Sequence, residues 1–396
     1  MEQEVAEHTY VDKQKPGAFR IWKDKRPLIN RLDVELTERC NNNCAHCYIN
    51  LPADDTATQA RELAAKDIQE VLIEAAGLGC MTVRFTGGEP LLRNDFEALY
   101  LFARRLGLKV MLFTNATRIT PHLADLFARI PPLEKIEVTV YGMAEASYEA
   151  VSRTPGSYET AWQGIRLLME RKVPFIVKGV LLPSTKGETE QFEEWAAIIP
   201  WMDKPPSQSM NFDLRCRRDS EAKNRHVINL RLSPEETLLM LTRRPESYIK
   251  SMKEFSSKFM SPQGDVLFSC GSGVGGACLD AYGMLQPCMM LRHPDTVYDL
   301  RRGSLRDSMT RFFPELRTMR ATNADYLARC ARCFLKGLCE QCPAKSWMEH
   351  GTLDTPVDYL CQVAHAQARY LGLVGGSEWA WEVSNWRERI KAFAES

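Results

Sequence analysis

The stretch RLDVELTERCNNNCAHCY, residues 31–48, decides how this chain is read. Its first six residues, RLDVEL (31–36), have the short, apolar-rich character of a strand. Directly after it come Cys40, Cys44 and Cys47, in a Cys-x3-Cys-x2-Cys spacing. Three thiolates on one tight loop can wrap one face of an iron–sulfur cube and leave the fourth iron without a protein ligand. A structural zinc site wants four protein ligands and usually two Cys-x-x-Cys knuckles, so three is a poor match. An open iron is what a substrate-chelating cluster needs.

Outward from that loop the chain alternates. MTVRFT (81–86), VMLFT (110–114), IEVTVY (136–141), FIVKGVLL (175–182) and MNFDLR (210–215) read as five further strands. Between them lie amphipathic helices. Ile68, Val71, Leu72 and Ala75 make a stripe that stops at Gly77. Asn94 with Glu97 has the spacing of a capping box, Phe96, Leu99, Ala103 and Leu106 make the buried face, and Gly107 ends the helix. Thr120-Pro121 supplies an N-cap and a first-turn proline, and Ser157 opens a helix carrying Trp162, Ile165 and Leu168. The pattern predicts parallel βαβ units, in an open sheet or a partial barrel. Both architectures put the active site at the strands' C-terminal ends, where the cysteine loop falls.

Beyond residue 216 the rhythm changes. Ser233-Pro234-Glu235-Glu236 starts a helical region that runs to about residue 259. Residues 263–365 are loop-rich, with GSGVGG at 271–276, and the tail from Glu378 to Phe393, with Trp381, Trp386 and Ile390, reads as a closing amphipathic helix. The expected organisation is an N-terminal extension (1–30), an α/β domain (31–215), a helical bridge (216–262), a cysteine-bearing domain (263–365) and a C-terminal helix (366–396).

Composition removes whole classes. The 396 residues hold 51 basic and 51 acidic side chains, so the long-range pull of a nucleic-acid binder is missing. The start, MEQEVAEH, is no signal peptide, and no apolar run is long enough to span a bilayer, which predicts a soluble, cytoplasmic protein. In that compartment 13 cysteines are not disulfides. They cluster as metal ligands do: Cys40, Cys44 and Cys47; Cys270, Cys278 and Cys288; Cys330, Cys333, Cys339 and Cys342, with Cys361 trailing. Only Cys80 and Cys216 stand apart.

Cys-x3-Cys-x-aromatic-Cys after a first strand, with His46 at the aromatic position, resembles the signature of the radical S-adenosylmethionine (SAM) superfamily. Gly87-Gly88-Glu89-Pro90 follows the second strand and is similar to the family's GGEP motif, which holds the SAM amino group. Thr114-Asn115 follows the third strand and looks like the ribose-contacting segment, with Ala116 in place of the usual glycine. The resemblance covers residues 31 to about 215. It implies a partial (β/α)6 TIM-type barrel, a [4Fe–4S] cluster on Cys40, Cys44 and Cys47, and reductive cleavage of SAM to a 5′-deoxyadenosyl radical that abstracts hydrogen from carbon.

The later cysteines resemble the SPASM extension of radical SAM peptide maturases, which carries two auxiliary [4Fe–4S] clusters. The resemblance implies Cys270, Cys278, Cys288 and Cys342 as ligands of one cluster, and Cys330, Cys333, Cys339 and Cys361 of the other. One spacing departs, with two residues rather than three before Cys342. Two four-cysteine zinc sites are the competing reading. The implied substrate is a peptide or protein side chain, oxidatively crosslinked (C–C or thioether) in a ribosomally made peptide. Met289 after Cys288 disfavours sulfatase maturation, whose enzymes carry an aspartate there. The alternatives are peptide epimerisation and a small-molecule substrate such as a tetrapyrrole. Flavodoxin or ferredoxin is the implied reductant. Residues 1–30 are too few for a winged-helix leader-binding module, so a leader would be held by the chain itself or by a separate leader-binding protein.

Cys216 ends the expected sixth strand at the barrel mouth, where a thiol could donate a hydrogen atom as in peptide epimerases; the plainer reading is a packing residue. Arg215, Arg217 and Arg218 either grip an acidic ligand or pair with Asp213 and Asp219. Lys178 faces either SAM or a salt-bridge partner.

Overall fold

The computed structural model describes residues 27–396, so most of the expected N-terminal extension lies outside the described residues. Six parallel strands run in spatial order: β1 (Ile29–Thr37), β2 (Thr82–Gly87), β3 (Lys109–Thr114), β4 (Leu133–Val140), β5 (Phe175–Val180) and β6 (Ser207–Ser209). Helices α1 (Ala65–Gly77), α2 (Phe96–Arg105), α3 (Pro121–Arg129), α4 (Glu145–Ser152), α5 (Ser157–Glu170) and α6 (Thr189–Ala197) lie between them. These are the parallel βαβ units the alternation predicts, arranged as the α/β partial barrel the resemblance implies. Leu32, Val34, Leu36, Val83, Phe85, Val110, Leu112, Ile136, Val138 and Phe175 are all buried in one continuous core. The alternate positions of β1, β2 and β4 are mostly polar, with Asp33 paired to Arg84 at 3.3 Å and Glu137 to Lys178 of β5 at 2.5 Å. Parallel strands buried on both faces are ordinarily apolar throughout. A polar inner face therefore marks the side that receives a ligand.

Four sequence expectations change. The sixth strand is Ser207–Ser209, and Met210–Arg215 carries no ladder. Phe212 and Leu214 are buried as a strand pattern would have them, but the Arg215 N–H donates to the Asn224 side chain and the Cys216 N–H to the Tyr48 carbonyl. At α2 no capping box forms, because Arg93 binds the Asp95 carboxylate at 2.6 Å and no side chain caps the helix. The loop-rich region contributes strands: β7 (Gly275–Leu279) joins β1 in parallel, and β8 (Met284–Gln286) and β9 (Tyr298–Asp299) follow antiparallel, making one nine-stranded sheet. Finally, the closing helix is Trp386–Glu395, not Glu378–Phe393. The Glu378 carboxylate instead accepts from the Gly375 N–H and pairs with Arg389, which folds the preceding residues into a turn.

The Ser233 capping box forms as expected, opening a helix at Pro234–Leu241, followed by one at Pro245–Phe259. A second, smaller core gathers Phe334, Leu335, Leu338, Ala364, Leu371 and Ile390. No described helix is long and apolar enough to cross a membrane.

Candidate active site

A cavity of about 750 Å³ opens at the C-terminal ends of the parallel strands. Its lining brings together Cys40, Cys44 and Cys47, Gly87 and Gly88, Thr114 and Asn115, and Lys178, which are spread over 138 positions of sequence (178 − 40). His46 lies beside them, packed on Phe212 and Tyr141 with ring centroids 4.9 and 5.8 Å away. Burial holds the imidazole down at about 4, so it is neutral, and its Nδ1 has no hydrogen-bond partner.

The cysteine loop is pinned by its backbone. The Asn43 N–H donates to the Ser152 carbonyl and the Ala45 N–H to that of Val151, while Asn115 Nδ2 reaches Cys40 Sγ at 3.8 Å. Burial, then the neighbouring Cys44, Glu89 and Cys47, push the Cys40 thiol well up; burial and Cys47 raise Cys44 to about 12. Burial and mutual repulsion thus disfavour the thiolates of Cys40 and Cys44 on their own, and a cationic centre is what draws thiolates to it. The donor set therefore fits an iron–sulfur cluster. No three His, Cys, Asp or Glu side chains among the described residues converge as a single metal ion requires. All 13 cysteines are free thiols.

The Gly-Gly-Glu-Pro turn does something the sequence reading did not foresee. A Cβ at Gly87 would lie 2.1 Å from the Thr37 carbonyl oxygen, and one at Gly88 2.2 Å from that of Arg39. The Gly88 and Glu89 N–H groups donate to these same oxygens at 2.7 and 2.9 Å. The glycines thus let the turn press against the chain leading into the cysteine loop. Glu89 was expected to accept from an ammonium, yet it is fully buried and does not line the cavity. Its carboxylate accepts from the Thr114 hydroxyl (2.8 Å), the Asn115 N–H (2.8 Å) and the Leu91 N–H (3.1 Å). Burial raises its pKa to about 7 against those three donors. Glu89 is a clamp between two strand ends.

Ala116 follows at φ +63°, and the Gly164 α-carbon passes close enough that a Cβ there would sit 2.2 Å from the Ala116 oxygen. The left-handed backbone explains why a glycine suits that position.

The three arginines all have internal partners. Arg215 forks onto Asp219 at 2.8 Å twice and donates to Asn50; Arg217 reaches Glu38 at 2.6 Å; Arg218 donates to the carbonyls of Trp347 and Met348. Asp213 pairs with Lys345 rather than with an arginine. Cys216 is fully buried and does not line the cavity. Its Sγ accepts from Arg292 Nε at 2.9 Å, and burial pushes the thiol up to about 11.

Arg292 escaped the sequence reading. It is buried with Glu35 at 2.6 Å, Glu38 at 3.2 Å and Asp280 at 3.7 Å, joining β1 to the β7–β8 turn. The alternation of Asp33 and Glu35 with apolar residues in β1 was the available signal.

In the C-terminal region, Cys330, Cys333, Cys339 and Cys361 line one small pocket. Cys288 feels Cys270, and Cys342 feels Cys288, in each case after the larger effect of burial. Burial followed by the Glu35 and Asp33 carboxylates governs Cys278. Cys80 is buried against the Asn30 and Thr82 carbonyls and lines neither of these pockets.

A parallel sheet with a three-cysteine loop after its first strand and a Gly-Gly-Glu-Pro turn after its second defines a radical SAM enzyme. Residues 34–196 match the radical SAM superfamily model, so this stretch of the chain carries a radical SAM domain. Among characterised relatives, it is 29% identical over 160 residues to the AdoMet-dependent heme synthase of Methanosarcina barkeri, covering 40% of this chain and 45% of that protein. It is 23% identical over 357 residues to the AdoMet-dependent heme synthase of Nitratidesulfovibrio vulgaris (84% of this chain, 92% of that protein). The mycofactocin maturase MftC of Mycolicibacterium smegmatis is 28% identical over 167 residues (42% and 41%). Among solved structures, SuiB of Streptococcus suis bound to S-adenosylmethionine superposes with TM-score 0.63 at 16% identity, covering 85% of this chain and 78% of that one. The structure of anSMEcpe with bound AdoMet gives 0.61 at 14% identity, covering 93% and 96%.

Proposed function

We propose that this chain oxidatively modifies a peptide, forming a C–C or thioether crosslink, and that it carries one SAM-binding cluster and two auxiliary clusters. Cys40, Cys44 and Cys47 would hold the first. Cys270, Cys278, Cys288 and Cys342, then Cys330, Cys333, Cys339 and Cys361, would hold the others, in a SPASM-type region. When bound, SAM and its cluster supply a 5′-deoxyadenosyl radical that takes a hydrogen atom from carbon. Thr114, Asn115 and the carbonyls of Gly87 and Gly88 border the space for SAM, with Glu89 and Pro90 shaping the turn that presents them. Lys178, pinned to Glu137 and lying over Phe113 at 4.1 Å, forms the far wall.

One observation carries the choice of substrate. Lys178 and Lys345 are the cations among the described lining residues, and each is already paired with carboxylates, Glu137 and Asp213 with Glu340. A tetrapyrrole brings several carboxylates that need unpaired cations. A peptide asks instead for neutral donors and acceptors, which Asn42, whose side-chain amide has no partner in the protein, and Gln208 provide. MftC and the SuiB structure bound to its precursor peptide are consistent with that substrate class.

A crosslink removes two hydrogens: one leaves on 5′-deoxyadenosine, the other as a proton plus an electron, and the C-terminal cysteine pockets would house the electron acceptor. Cys216, buried away from the cavity, is assigned to packing. The heme synthase match across 84% of the chain favours the second reading, a tetrapyrrole substrate.

Anaerobic incubation of the reconstituted enzyme with SAM, reductant and a short peptide encoded beside its gene tests this by mass spectrometry. The expected product is lighter by two hydrogens, with one 5′-deoxyadenosine per modification. A product of unchanged mass that gains a deuterium in D2O, formed together with 5′-deoxyadenosine, would establish epimerisation instead. Turnover of an iron–porphyrin carboxylate and not of the peptide would establish the second reading.

A further inference from the structure

The pocket of Cys330, Cys333, Cys339 and Cys361 is walled by Arg329, His365 and Trp381. These side chains are locked with unusual completeness. Arg329 Nη1 donates to Asp325 at 3.0 Å and Nη2 to Asp358 at 2.8 Å, and the guanidinium lies over the Trp381 ring at 5.1 Å. Its Nε is buried and finds no acceptor. A buried, orphaned donor on a charged group is costly, and it asks for a partner the protein atoms do not provide.

His365 faces the same sulfur. The Ala380 N–H donates to His365 Nε2 at 3.1 Å, so Nε2 is the acceptor nitrogen of a neutral ring and Nδ1 carries the hydrogen. Nδ1 in turn lies 2.8 Å from the Cys361 carbonyl and 3.5 Å from Cys361 Sγ, a shared hydrogen bond. Trp379 and Trp381, stacked on each other at 4.8 Å, pack edge-on against the imidazole and fix its plane.

We propose that Arg329 and His365 set the reduction potential of the cluster bound in this pocket by donating to the Cys361 sulfur and to the sulfide beside Arg329 Nε. The proposal rests on the reading that Cys330, Cys333, Cys339 and Cys361 hold an iron–sulfur cluster. Donors to cluster sulfur stabilise the more negative, reduced form and raise the potential. Cys361 is thereby the ligand through which the small C-terminal core tunes the electron acceptor.

The test is an EPR-monitored redox titration of the full chain with Cys40, Cys44 and Cys47 replaced by Ala, so that only the auxiliary clusters report. In this background Arg329→Gln and His365→Phe should each move one reduction wave to lower potential and leave the other in place. Iron content should stay at about eight per chain. Arg329→Lys, which keeps the charge beside Asp325 and Asp358 but lacks the fork, should give a smaller shift in the same direction and guards against misassembly of the Gln variant. Waves unmoved in all three variants with iron intact would overturn the tuning role alone. A background chain with about four irons, unaffected by Cys361→Ala, would overturn the cluster assignment beneath it and the tuning role with it.

Discussion

The loop of Cys40, Cys44 and Cys47 hangs from the end of a nine-stranded sheet, whereas Cys330, Cys333 and Cys339 come from turns and Cys361 from the helix Asp358–Tyr370, with Cys333 and Cys339 packed on the small core. Around the first loop, position is enforced by backbone: ladders on both sides of β1, glycine turns in contact with carbonyls, and Glu89 clamping two strand ends. Around the second pocket, position depends on side chains, with Arg329, His365 and two stacked indoles closing on thiols. A site built by backbone keeps its shape when empty. One built by side chains around ligand atoms draws a larger share of its stability from what it binds.

Arg292 is the place to break the joint between β1 and the β7–β8 turn, within the first region. Arg292→Met would leave Glu35, Glu38 and Asp280 buried beside one another, with Arg217 as their remaining cation, at a cost of about 3–5 kcal/mol. The expected outcome is an unfolding free energy, from chemical denaturation, lowered by that amount, or no folded protein at all. Equal stability would mean the seam is not held by this network.

Iron removal should separate the regions more gently. Amide exchange on chelated protein is expected to quicken at least about a hundredfold in residues 324–370, about 3 kcal/mol of local stability, while β1 to β5 remain protected. Uniform exchange in both regions would erase the contrast.

The smallest effect belongs to Ala116. Replacing it with Gly relieves the left-handed strain at φ +63° and should raise stability by about 0.5–1 kcal/mol, less whatever the freer unfolded chain takes back. A loss of stability would show that the methyl's burial outweighs the strain.

The same contrast explains what could be read in the sequence. Strands β1 to β5 announce themselves through alternating apolar residues, and their helices through residues such as Thr120-Pro121, because both signals are local. β7 and β8 do not: they are short, and β7 owes its strand state to β1, some 240 residues earlier in the chain. Met210–Arg215 shows the converse error, since Phe212 and Leu214 alternate like a strand while their backbone goes elsewhere. The cysteine loop was legible from its spacing, whereas the Gly-Gly-Glu-Pro and Thr-Asn turns were legible as part of the site only through the family resemblance. The arginine network was not, because Arg292 and Glu35 meet only once the sheet has closed.

The central claim is a division of labour: SAM cleavage resides in the sheet-borne loop, and the C-terminal cysteines hold clusters of their own. The most direct test replaces Cys40, Cys44 and Cys47 together by Ala and measures iron, sulfide and 5′-deoxyadenosine after anaerobic reconstitution. The account predicts a fall from about twelve irons to about eight per chain, with SAM cleavage abolished. Cleavage that persists in this variant, or iron that disappears from it altogether, would contradict the account.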